Sequence, residues 1–344
     1  MPLRPPVTRP RDNNQKKRTL PVMRDSRIKT LSFSIAVVAG LAGSAIALAQ
    51  QSPTDWLERM ANAVGSTNYQ GTVIRRMRGE SEALKVVHRI IDGVVNERVT
   101  SQEGSGLEII RVGNEVHCIL PDQKSVLVEG FNNQSTLFSP LPRTEVVNTP
   151  QYDVSVLREG RIAGRKAVLL ALRPHDEYRY GHRLWLDQAS GFPLQTEVVN
   201  IDGEVIEEVK FAEIDFSDNI TASATDPTVN LDGFTWYKEP ARSEIVEVES
   251  DWVCDDLPAG FRAVSTTSIQ ETEEGGQTTH IVFSDGVAKV SVFIEAPDDG
   301  ERSGWAILGA SNSYTALQDA NQVTAVGEVP GVTVKRIATS MRRE

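Results

Sequence analysis

Arg179-Tyr180-Gly181-His182-Arg183-Leu184-Trp185-Leu186-Asp187, followed by Gly191-Phe192-Pro193-Leu194 and closed by Asp202-Gly203 and Phe211, is the stretch that decides the fold. Apolar runs alternate with tight Gly and Pro turns, the signature of three successive antiparallel strands. The same pattern extends on both sides, with candidate strands at 69–77, 83–91, 94–100, 107–112, 115–120, 125–129, 152–158, 166–173, 182–187, 195–200 and 205–216. Asp92-Gly93, Gly113-Asn114, Pro121-Asp122, Gly160, Gly164 and Asp202-Gly203 connect them as short turns. Hairpins in this number make one sheet too wide to stay flat. The expected class is therefore mainly β (α+β): a large coiled antiparallel sheet or open half-barrel with helices on its concave face.

The N-terminus points to export. A basic segment ending in Arg24, Arg27 and Lys29 runs into an apolar stretch, 31–48, that closes on Ala47-Leu48-Ala49. This reads as a secretory signal over 1–49, cut before Gln50, in preference to a membrane anchor. Met23 is the more compact start. No Cys stands at the cleavage point to accept a lipid. Beyond the signal, 27 Lys and Arg face 45 Asp and Glu among 295 residues, a net charge of −18. So acidic a chain is no nucleic-acid binder, because phosphate recognition needs a basic face. It would also repel anionic headgroups, which leaves apolar contact as the way to hold a lipid.

A length of 295 residues suggests two domains. Ser52 caps a first helix with Pro53 at its first position; Trp56, Leu57, Met60, Ala61 and Val64 share one face, and Gly65 ends it. The first domain spans 50–216. Between Gly130 and Pro150 the strand pattern breaks at Asn132-Asn133, Pro140 and Pro142, with Phe131, Leu137, Phe138 and Leu141 set to lie over the concave face. A linker follows over 217–248, poor in periodicity. The second domain, 249–344, carries candidate strands at 262–269, 278–284, 288–295, 305–310, 313–317 and 322–327. A terminal helix opens at Pro330 with Val334, Ile337, Ala338 and Met341 on one face. That makes a smaller antiparallel sheet with one packed helix. Cys118 and Cys254, one per domain, are open to a bridge or to two buried thiols.

Several of these motifs carry a family resemblance. Leu184-Trp185-Leu186-Asp187 with Gly191-Phe192-Pro193-Leu194 resembles the hairpin of LolA-like periplasmic carriers, and Pro174-His175-Asp176-Glu177-Tyr178-Arg179-Tyr180-Gly181 resembles the MucB/RseB family. Asn68-Tyr69-Gln70-Gly71-Thr72 and Val87-His88-Arg89 fit the same family. Trp252, Leu257-Pro258-Ala259-Gly260-Phe261, Phe283-Ser284-Asp285-Gly286 and Gly327-Glu328-Val329-Pro330 resemble its C-terminal domain, which LolA-like carriers lack. The resemblance implies a LolA-like first domain and a periplasmic negative regulator of an envelope-stress sigma factor. Such a protein binds the periplasmic segment of a MucA/RseA-like anti-sigma factor and shields it from proteolysis. It senses stress through a lipid, lipoprotein acyl chain or lipopolysaccharide. A LolA-like lipoprotein carrier is the alternative, and self-association as a homodimer stays open.

No catalytic motif stands out. The chain has no G-x-S-x-G elbow, phosphate-binding G-x-x-x-x-G-K-[ST] loop or H-E-x-x-H pair, and no metal or cofactor is expected. His175 and His182 could converge with Asp176 and Glu177, although solvated turn residues are the expected reading. His117 and Cys118 are strand neighbours that point to opposite faces. Leu84, Val86 and Ile90 alternate on one strand face and, with Phe138 and Leu141, are the expected lining of an apolar cavity. Tyr178, Tyr180, Phe283 and Asp285 are the expected partner contacts.

Overall fold

In the computed structural model the described residues are 51–77, 79–104, 106–130, 137–138, 140–238, 246–270, 277–297, 303–318 and 320–344. The expected signal, Phe131, Asn132-Asn133 and residues 239–245 of the expected linker lie outside them.

Helix α1 (Pro53–Ser66) opens on a reciprocal cap, the Asp55 amide donating to Ser52 Oγ at 3.1 Å and the Ser52 amide to Asp55 Oδ2 at 2.9 Å. Its buried stripe is Trp56, Leu57, Met60, Ala63 and Val64. Ala63 replaces the expected Ala61, which is exposed. The first sheet then forms from β1 (Tyr69–Met77), β2 (Glu80–Ile91), β3 (Val94–Ser101), β4 (Glu108–Val112), β5 (Glu115–Leu120), β6 (Ser125–Gly130), β7 (Tyr152–Ile162), β8 (Arg165–Pro174), β9 (Gly181–Asp187), β10 (Pro193–Val199), β11 (Val205–Phe216) and β12 (Thr235–Lys238). Their order across the sheet is β12-β6-β5-β4-β3-β2-β1-β11-β10-β9-β8-β7. The β2–β3 turn holds Asp92 at φ 50° and Gly93 at φ 78°, the left-handed pair that a two-residue hairpin demands. The sheet coils far enough that β7 and β11, four places apart, touch across the inner face. That inner face holds the main core, in which α1, Leu137 and Phe138 join Val73, Leu84, Val86, Leu170, Leu184, Phe192 and Phe211.

Residues 217–238 differ from a free linker. They cross the outer face as a strap: Val229, Leu231 and Phe234 pack on Ile110, Ile119, Val126 and Val128. The strap ends in β12, which pairs with β6 in parallel, in a sheet otherwise antiparallel. The buried Glu108 carboxylate anchors it by accepting from the Thr228 amide at 2.9 Å and from the Thr228 hydroxyl, while Arg98 donates to the Asp226 carbonyl at 2.8 Å. Apolar outer positions with no period of their own explain why the sequence pattern reads as a linker.

The second sheet contains β13 (Val246–Glu247), then β15 (Arg262–Gln270), β16 (Gln277–Ser284), β17 (Lys289–Glu295), β18 (Gly304–Leu308), β19 (Ser311–Gln318) and β20 (Asn321–Gly327), in the order β13-β15-β16-β17-β20-β19-β18. Helix α2 (Gly331–Ser340) covers one face of it, burying Val334, Ile337 and Ala338 against Val290, Val292, Val323 and Ala325. The flanking β14 (Trp252–Cys254) pairs with the terminal β21 (Met341–Arg343). Cys118 and Cys254 are separate free thiols, and burial raises the pKa of both.

Glu108→Ala should free the strap. The expected loss is about 2 kcal/mol in urea denaturation, the size of a hydrogen bond to a charged group, with faster limited proteolysis between 217 and 234.

Candidate functional site: a latched junction between two sheets

The segment from His175 to Tyr180 joins β8 to β9 and leaves the first sheet to enter the second. Tyr178 accepts at its carbonyl from Thr333 Oγ1 at 2.7 Å, and its ring lies 4.7 Å from the Arg336 guanidinium, which also meets its hydroxyl. Tyr180 is 8% exposed and accepts from Asn312 Nδ2 at 3.0 Å; the same amide nitrogen donates to the Val329 carbonyl at 2.8 Å. Between them sits Arg179, with no exposed surface. Its Nε donates to Asp176 Oδ1 at 2.9 Å, Nη1 to Asp285 Oδ2 at 2.6 Å and Nη2 to the Ala259 carbonyl at 2.6 Å. The rings of Phe261 and Tyr152 lie 5.3 and 5.8 Å from the guanidinium. Asp285 spends its other oxygen on the amides of Val287 and Ala288, at 2.9 and 2.8 Å, so the turn is shaped by the carboxylate that holds Arg179. Val287, on that turn, packs against the core of the first sheet.

The residues expected to contact a partner make contacts within the chain in this structure. Tyr178, Tyr180 and Asp285 are consumed by the chain's own junction, and Phe283, 5% exposed, is core under α2. Their polar atoms are the ones a desolvated contact between two sheets must satisfy internally. Arg179 was in view in the sequence without being singled out. Its signal was the acidic Asp176 three residues before it and a flanking Tyr on each side.

The cavity candidates divide. Leu84, Val86 and Phe138 are 5%, 0% and 5% exposed inside the filled core, the Phe138 ring 6.3 Å from Phe192 and 6.4 Å from Phe211. Ile90 is half-buried. The strand face they were assigned turns polar at His88, whose Nδ1 lies 2.7 Å from the buried Glu97 carboxylate while its ring stacks on Tyr69 at 4.8 Å. Only Leu141 reaches open space, lining a cavity of about 380 Å³ with Met60 and Ala61 of α1 and the 142–145 turn. His175 is bound to Asp153 at 3.0 Å and to the Pro150 carbonyl at 2.9 Å, and Asp176 is taken by Arg179, so no catalytic set forms there. His117 pairs with Glu115 at 2.7 Å and meets the Trp236 ring edge-on, on the face opposite Cys118. Among the described residues no group of His, Cys, Asp or Glu could hold a metal ion.

Fold and junction define a mainly β protein in which a wide coiled sheet is latched to a smaller, helix-backed one through a buried ion pair. Residues 52–229 match the MucB/RseB N-terminal domain and residues 246–342 the MucB/RseB C-terminal domain. The chain is 30% identical over 298 residues to the sigma factor AlgU regulatory protein MucB of Pseudomonas aeruginosa, covering 85% of this chain and 91% of that protein. It is 26% identical over 320 residues to the sigma-E factor regulatory protein RseB of Escherichia coli, covering 92% and 98% respectively. The crystal structure of MucB in complex with MucA(peri) superposes with a TM-score of 0.64 at 27% identity, over 85% of this chain and 99% of that one. The chain belongs to the MucB/RseB family.

Two outcomes test the junction. Asp285→Ala removes the buried carboxylate facing Arg179 Nη1, leaving Asp176 on its other edge, and should cost about 3 kcal/mol in urea denaturation, part of it recovered when Arg179→Met is added. Burial lowers the His182 pKa to about 4. Below the ordinary value near 6.5 the unfolded chain then binds a proton that the folded chain refuses, so stability falls as pH drops. The loss should approach about 3 kcal/mol between pH 6.5 and 4, and His182→Gln should flatten that part of the curve.

Proposed function

We propose that this chain is a periplasmic regulator that binds the periplasmic segment of a transmembrane anti-sigma factor and restrains its sigma factor by shielding that segment from the initiating protease. The observation that carries this reading is the likeness, across both sheets, to a MucB captured with MucA(peri). The match over 246–342 favours a regulator over a lipoprotein carrier, because the second sheet and α2 add surface beyond one coiled sheet. Stress enters through an apolar ligand, an acyl chain from lipoprotein or lipopolysaccharide. The cavity beside α1, with Met60 and Leu141 on its wall, supports this step. Each buried methylene gains roughly 0.8 kcal/mol. The ligand releases the partner only if it binds the partner-free form more tightly, since linkage is reciprocal.

Titration calorimetry with the synthetic periplasmic segment of the cognate anti-sigma factor tests the reading. The intact protein should bind and slow cleavage of the segment by the purified protease. A protein ending at Lys238, which keeps the strap, should lose most of the affinity, because contacts spread over two tethered lobes gain from effective concentration. Equal affinity for the truncated protein would assign the second sheet another role, and absence of binding by the intact protein would end the reading.

A further inference from the structure

We propose that the cavity at the junction of the two sheets is a binding site for a small organic monocarboxylate. It has a volume of about 330 Å³ and takes Tyr152 and His182 from the first sheet and Lys289, Ser291, Ser311 and Glu328 from the second. That volume lies at the low end of cavities that hold small molecules and is small for a diacyl lipid.

Several of the polar groups around it are hydrogen-bond donors. Tyr152 is 4% exposed, yet its hydroxyl has no hydrogen-bond partner. Beside the cavity, among the described residues, the His182 imidazole makes no side-chain hydrogen bond and the Lys289 ammonium no ion pair. A buried hydroxyl left unsatisfied is uncommon in folded proteins, and an acceptor atom entering the cavity would satisfy it. A neutral imidazole still offers one N–H, and burial keeps His182 neutral. An ammonium, an imidazole N–H and hydroxyls together suit an oxyanion. Glu328 on the same wall limits the charge, since a second negative charge on the ligand would face it. One carboxylate matches Lys289, and a dianion such as phosphate does not. Pro140, Val287, Ala288 and Val326 add apolar lining, which suits a short apolar tail. Because the donors come from both sheets, occupancy would reinforce the Arg179–Asp285 latch by mass action. The inference stands apart from anti-sigma binding, and each can fail alone.

The test titrates the full chain with hexanoate, hexanol and inorganic phosphate, followed by calorimetry and by amide NMR shifts at Lys289 and Ser291. Hexanoate should bind saturably and more tightly than hexanol or phosphate. Lys289→Gln, at an exposed position that leaves the melting temperature unchanged, should weaken hexanoate about tenfold and leave hexanol where it was. His182→Gln should weaken hexanoate as well. Equal affinity for hexanoate and hexanol would mean apolar partition only. That result, tighter binding of phosphate, an unchanged Lys289→Gln protein, or no saturable shift at Lys289 and Ser291 would each overturn the proposal.

Discussion

A guanidinium can be taken wholly out of water only where its N–H groups find acceptors, and Arg179 meets that condition with atoms from both sheets at once. Asp176, from its own segment, satisfies one edge. Asp285 and the Ala259 carbonyl satisfy the other, and both come from turns beside strands of the second sheet. Around this pair, Tyr178 with Arg336 and Tyr180 with Asn312 supply further contacts that depend on the same alignment.

The coiled sheet imposes a second constraint, because its two faces need different covers. Inside, α1 and the rings of Phe138, Phe192 and Phe211 fill the space between the strands. The filling leaves room for His88, Glu97 and Arg111 as a buried polar group, in which burial lowers the Arg111 pKa while the Glu97 charge opposes it. Outside, Ile110, Ile119, Val126 and Val128 would face water without the strap. An apolar strip on an open sheet invites association, and the strap answers that by covering it and by adding β12 along the β6 edge.

The two cavities sit in different parts of this frame: one borders α1 and the 141–145 segment, and the other is lined by residues of both sheets.

What the amino-acid sequence determined by itself was local and periodic. Alternating strands, Asp-Gly turns, the Ser52 cap and the stripe on the terminal helix are short-range signals, and they placed nearly every strand, both helices and the split into two sheets. The family was legible for the same reason, as an order of short motifs. The outcome at each candidate residue was decided by the tertiary structure. Leu84 and Val86 have the pattern of a cavity wall, and whether such a wall is open or filled depends on what α1 and residues 137–138 bring across from elsewhere in the chain. Tyr178, Tyr180 and Asp285 look like contacts waiting for a partner. That they also meet within the chain follows from a pairing between residues 106 apart, which no local period encodes. The strap over 217–238 has the same origin, since its apolar residues are spaced by the outer surface they cover and not by a helix or strand of their own.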